Sequence, residues 1–137
     1  MEKNAGYREL EHTADWQLEA WAPDLTGLLE QCAHGMQALS GAKLDPQDEP
    51  VWINLELSAA DAESLLVRFL SELLFLSEQE SIGFERLELG LEKLDLHARL
   101  RTRALLGLEK EIKAVTYHNL VIDSGPEGLS TRVVFDV

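Results

Sequence analysis

Apolar residues change their spacing several times along this chain, and each change marks an element. Trp16, Leu18 and Ala20 alternate with Gln17, Glu19 and Trp21, the period of a strand with one face turned to a core. A shorter run at 7–11 precedes it across His12-Thr13-Ala14-Asp15, so the N-terminal region reads as two strands joined by a loop. From Leu25 the spacing becomes helical, with Leu25, Leu28, Leu29, Cys32, Ala33, Met36 and Leu39 on one stripe. Asp24 after Pro23 supplies a start and Ser40-Gly41 a stop, which predicts a helix over 24–40.

Residues 43–50 carry prolines and acids without periodicity and read as a solvated connection. Val51, Ile53, Leu55 and Leu57 restore the strand period. Ser58-Ala59-Ala60-Asp61 resembles a capping box, and Leu65, Leu66, Phe69, Leu70, Leu73 and Leu74 predict a second helix running to about residue 77. Leu87, Leu89 and Leu91, then Leu94, Leu96, Ala98 and Leu100, read as a hairpin turning near Glu92-Lys93. The stretch 111–123 is rich in Val, Ile, Thr and Tyr, and the turn signal at 124–128 precedes a last strand over 129–137. These elements predict an α+β two-layer sandwich: a mixed, mostly antiparallel sheet of about seven strands with two amphipathic helices on one face. No repeat or composition break divides 1–137, so one domain is expected.

Composition narrows the function classes. Of 137 residues, 45% are hydrophobic, enough for a core, and 25 acids against 12 Lys and Arg leave a formal charge of −13. Such a charge disfavours unaided binding to nucleic acid or to an anionic membrane, and favours basic proteins or metal ions. The most apolar stretch, 65–76, is broken by Arg68, Ser71 and Glu72, so no membrane span is expected. The charged N-terminus lacks the apolar core of a secretory signal, and Cys32 is the single cysteine, which points to the cytoplasm.

The usual signatures of zinc sites, nucleotide cradles and nucleophile elbows are absent. What remains is local. His12-Thr13-Ala14-Asp15 sets two ionisable groups in a loop, and Asp136 sets a carboxylate beside the terminal carboxylate of Val137. Clustered hard oxygens suit Ca²⁺ or Mg²⁺, because close carboxylates repel unless a cation neutralises them. Taken alone, these features are read more simply as a capped turn and a solvated chain end. Lys113 shares a strand face with Val115 and Tyr117, where lysines ordinarily reach to water; Tyr117 and His118 read as edge residues with polar tips. Cys32 falls on the helical stripe and reads as a buried, inert thiol.

Several stretches, in order, resemble the archease family. They are His12-Thr13-Ala14-Asp15 with 17–21, Leu29-Glu30-Gln31-Cys32-Ala33 through Met36, Glu63-Ser64-Leu65-Leu66 through Leu74, Ile112-Lys113-Ala114-Val115-Thr116-Tyr117-His118, and Val134-Phe135-Asp136-Val137. The resemblance implies a cytoplasmic protein cofactor of RtcB-type RNA ligases, which join 3′-phosphate or 2′,3′-cyclic phosphate ends to 5′-hydroxyl ends in tRNA splicing or RNA repair. Such a cofactor promotes guanylylation and repeated turnover of the ligase without joining RNA itself, and no direct nucleic-acid binding is expected. The resemblance also implies a divalent metal, Ca²⁺ or Mg²⁺/Mn²⁺, held by Asp15, Asp136 and the main-chain oxygens of Val137. Lys113 and His12 would act in ligase activation. The chain departs from the family pattern at 105–111, where relatives carry a longer stretch. Two other classes stay open: a metal-dependent phosphoester hydrolase using Asp15 and His12, and an interaction or chaperone module for RNA-processing enzymes.

Overall fold

A computed structural model of the chain describes residues 4–10 and 16–137. Strands β1 (Gly6–Leu10) and β2 (Trp16–Ala22) lead into helix α1 (Leu25–Leu39), followed by β3 (Lys43–Leu44), β4 (Val51–Ser58) and helix α2 (Ala62–Glu80). The chain then runs through β5 (Ile82–Glu92), β6 (Asp95–Gly107), β7 (Ala114–Val115), β8 (Asp123–Gly125) and β9 (Gly128–Asp136).

The first helix forms where its stripe and its cap coincide. Asp24 accepts a hydrogen bond from the Gly27 amide at 2.8 Å, satisfying one of the amides that a helix start leaves without a partner. Leu28, Leu29, Cys32, Ala33 and Met36 are all buried along the stripe. In α2 the cap is Asp61, whose carboxylate accepts from the Ser64 amide at 2.7 Å. Ser58 is therefore not the start of that helix: it remains in β4 opposite Asp95, and its carbonyl accepts from the Arg68 guanidinium at 2.8 Å. The helix ends at Ser81, which takes a left-handed conformation with φ 54°.

The α+β class with two helices stands, but the described residues form nine strands that hydrogen-bond as two sheets. In the first, the order is β1-β2-β9-β7, with β8 also paired to β9. In the second, β6 pairs with β3, β4 and β5. Every pairing among the described residues is antiparallel. Two features raise the count. The stretch 111–123 splits into β7 and β8 because Asn119 has φ 52° and the Leu120 amide turns back to the Tyr117 carbonyl at 3.0 Å. The 43–50 connection is also tied to β6, with Asp48 accepting from the Ala104 amide at 2.7 Å and the Asp45 amide donating to the Ala104 carbonyl at 2.9 Å.

The helices pack on each other and connect the sheets, α1 lying against β1 and β2, and α2 against β4, β5 and β7. One apolar cluster runs through all of them, with Leu18, Leu29, Leu65, Phe69, Leu100 and Phe135 fully buried. At roughly 25 cal/mol per Å² of apolar surface removed from water, this shared layer is the main driving force for the fold. Among the described residues, no helix is long and apolar enough to cross a membrane.

Candidate functional site

Three strand ends meet where β9 finishes. Phe135 is opposite Trp16 of β2 on one side and Val115 of β7 on the other. Behind this end the packing is dry: Val133, Val134 and Phe135 are buried in succession because β9 has a neighbour on each side. Asp136 then emerges exposed, and Val137 is half-buried against the core.

The short β7 brings Lys113 to Asp136. Ala114 is in register with Asp136, and the Lys113 amide donates to the Asp136 carbonyl at 2.7 Å. Thr116 secures the pairing twice, its amide and its hydroxyl each donating to the Val134 carbonyl at 3.0 Å. Lys113 and Asp136 are thus neighbours through backbone bonds that do not involve their side chains. Both side chains are exposed, and neither makes an ion pair with another described residue.

His12 and Asp15 lie outside the described residues. Leu10 pairs with Gln17, and β2 begins at Trp16 opposite Phe135, so the described chain flanking 11–15 stands at the sheet end that carries Asp136. The donors described at that end are the Asp136 carboxylate and the oxygens of Val137, hard ligands of the type that Ca²⁺ and Mg²⁺ take. They fit such a cation in kind and do not complete its shell. No group of three or more His, Cys, Asp and Glu able to hold a metal occurs among the described residues.

Lys110 is a neighbour that periodicity had no means of finding. Its ammonium sits 5.0 Å from the centroid of the Trp16 ring, and its amide donates to the Ser40 carbonyl at 3.0 Å. The contact joins residues about two-thirds of the chain length apart, so no local signal announces it.

The remaining candidates are accounted for structurally. His97 pairs with Glu56 at 3.0 Å on the exposed face of β6, and His34 meets Phe84 edge-on at 5.3 Å between centroids. His118 is exposed, its amide donating to the Thr116 hydroxyl at 3.3 Å. Burial pushes the Cys32 thiol up to about 12, which keeps it protonated and unreactive as a nucleophile.

The architecture is that of small α+β proteins in which two helices pack against antiparallel sheets. Comparison with known proteins makes the class specific. The model of the archease protein family matches residues 7–137. Curated relatives include protein archease of Thermococcus gammatolerans, 31% identical over 89% of this chain and 91% of its own length. Protein archease of Methanosarcina barkeri is 33% identical, covering 96% of this chain and 95% of its own. The crystal structure of a Thermotoga maritima archease, described as a possible chaperone, superposes with a TM-score of 0.71 at 25% identity over 95% of this chain and 96% of its own. A solution structure from Methanobacterium thermoautotrophicum gives 0.67 at 26% identity over 96% of this chain and 99% of its own. This chain belongs to the archease family.

Proposed function

We propose that this chain is a protein cofactor, and not itself an enzyme, that activates an RtcB-type RNA ligase by promoting guanylylation and repeated turnover, in tRNA splicing or RNA repair. The observation that carries the reading is the pairing of β7 with β9, which sets Lys113 and Asp136 side by side, exposed and uncommitted to any described partner. The proposed metal set is Asp15, Asp136 and Val137, taking Ca²⁺ or Mg²⁺/Mn²⁺; the bound ion would supply a fixed positive charge. Asp136 and the Val137 carboxylate bring negative charge to the docked face, and Lys113, whose backbone is bonded to that of Asp136, brings a cation. Set beside a ligase's nucleotide site, Lys113 would offset charge developing on the α-phosphate, with its position maintained by the backbone bonds around it. His12 is proposed as a secondary contributor.

The formal charge of −13 supports a protein partner over RNA, since complementary potential with a basic ligase speeds encounter. Direct nucleic-acid binding is therefore not part of the proposal, and the proposed setting is the cytoplasm. The test is multiple-turnover joining of a 3′-phosphate RNA to a 5′-hydroxyl RNA by the RtcB-type ligase of the same organism, with GTP and Mn²⁺. Strong activation by the wild-type chain, lost in both Asp136→Ala and Lys113→Ala, is expected. Activation retained in both variants would sink the proposed site and favour an interaction or chaperone module.

A further inference from the structure

Between the last turns of α1 and α2 and the strands β5 and β6 lies a pocket of about 240 Å³. Met36, Leu73, Ile82, Phe84, Leu105 and Ile112 make its walls apolar. Three of its polar side chains already hold hydrogen bonds. The Gln37 amide donates to the Phe84 carbonyl at 2.7 Å and accepts from the Phe84 amide at 3.1 Å. The Ser40 hydroxyl donates to the Gln37 carbonyl at 2.7 Å, and the Thr102 hydroxyl to the Val51 carbonyl at 2.8 Å. These bonds use both hydroxyl protons and hold the Gln37 side chain in place, so the mostly apolar interior favours apolar surface.

The rim has the opposite character. Glu78 and Glu111 line the pocket, are exposed, and make no ion pair with any described residue. Two free carboxylates around an apolar interior favour an occupant that is apolar in its body and cationic at its edges. Size limits the body: a cavity of about 150 Å³ takes benzene, so this one takes a single side chain as large as an indole or a phenol ring. Leu108, 40% exposed, extends the apolar wall to the surface.

Position indicates where such an occupant comes from. Glu111 and Ile112 line the pocket and are followed directly by Lys113, whose amide is bonded to Asp136. A segment anchored in the pocket would therefore have its neighbouring residues beside the candidate site. We propose that the pocket receives one bulky aromatic side chain from a basic segment of the partner protein, with flanking Lys or Arg residues on Glu78 and Glu111. This rests on the reading of the chain as a protein cofactor, and it assigns the anchoring surface that the Lys113 and Asp136 pair lacks.

The test uses the full chain and capped synthetic pentapeptides, followed by backbone amide shifts. The probe peptide has tryptophan at its centre, flanked on each side by one lysine and one arginine. Controls replace the tryptophan with alanine or the four basic residues with glutamate, and free tryptamine serves as a small amine. The expected result is shifts at Leu73, Ile82 and Ile112 with the basic tryptophan peptide, and binding at least about tenfold weaker with each control peptide and with tryptamine. The exposed double variant Glu78→Lys/Glu111→Lys is expected to lose about tenfold for the basic peptide and to gain for the acidic one. Equal binding of the alanine peptide, indifference to the double variant, or shifts elsewhere would overturn the proposal. Tryptamine binding as tightly as the peptide would overturn the partner segment and make this a small-amine site. Ligase activation separates the two readings. Full activation by the double variant removes the pocket as an anchor and leaves the proposed function standing, whereas no activation by the wild type removes that function and leaves the peptide result to be read by itself.

Discussion

The two sheets obey the same pairing rule, but the long strands of the second and the C-terminal end of the first handle their charges differently. In the second sheet the long β5 and β6 pair from Ile82 opposite Ala104 to Glu92 opposite Asp95, and the charges on the exposed face are matched. Arg99 meets Glu88 at 2.9 Å and stacks 4.4 Å over the Trp52 ring, while Arg101 and Arg103 share Glu85 at 3.3 and 2.8 Å. At the C-terminal end of the first sheet, β7 is only two residues long, and Lys113 and Asp136 have no described ion-pair partner. Exposed ion pairs contribute little stability, but they cancel the local field that an approaching molecule would feel. The matched face therefore serves as scaffold, and the unmatched end has charge to offer, as do the free Glu78 and Glu111 carboxylates at the pocket rim.

The sharpest way to break this contrast lies in adjacent residues of β9. Phe135→Ala removes a fully buried ring from the layer that supports the site and is expected to cost about 3 to 5 kcal/mol in denaturant unfolding. A cost under about 1 kcal/mol would mean that the C-terminal end is loosely packed, and the site would then lack a rigid base.

A smaller effect tests the apolar layer under the first sheet. Burial raises the Cys32 thiol from 9.0 to about 12, so above pH 9 the unfolded chain loses a proton that the folded protein keeps. The contribution is fully present below pH 9 and is lost as pH rises toward 12. Denaturation midpoints should therefore fall with pH in that window more steeply for the wild type than for Cys32→Ala. Equal slopes would show that the thiol is not held in a dry environment.

The smallest effect on stability is expected at the residue of greatest functional interest. Asp136→Ala removes an exposed, unpaired carboxylate and should change unfolding free energy by less than about 0.5 kcal/mol, whatever it does to ligase activation. A loss comparable to that of Phe135→Ala would make Asp136 a structural residue and remove the contrast between scaffold and site.

Much of this could be read along the chain. The 24–40 helix appears as α1 with Asp24 at its cap and Ser40 at its end, because an apolar stripe and a capping side chain are properties of one continuous segment. The hairpin of β5 and β6 was legible for the same reason, its strands being joined by a tight turn with Lys93 at φ 55°. Other features were not. The capping box read at 58–61 starts the helix at Ser58, and the pairing of Ser58 with Asp95 moves that start to Asp61. The pocket draws its walls from both helices and from β5 and β6, and no one of those segments announces it.

By itself, then, the sequence determined the two helices, most of the strands, the buried stripe containing Cys32 and the residue types available for chemistry. Periodicity and capping act over a few residues and need no partner. Tertiary structure alone decided that the strands form two sheets, that Lys110 lies over Trp16, and that β7 sets Lys113 against Asp136 beside an apolar pocket with an acidic rim. An alternating strand specifies which face it buries and leaves open which strand it will pair with. That choice is made by burial of the whole apolar surface at once, across residues far apart in the chain.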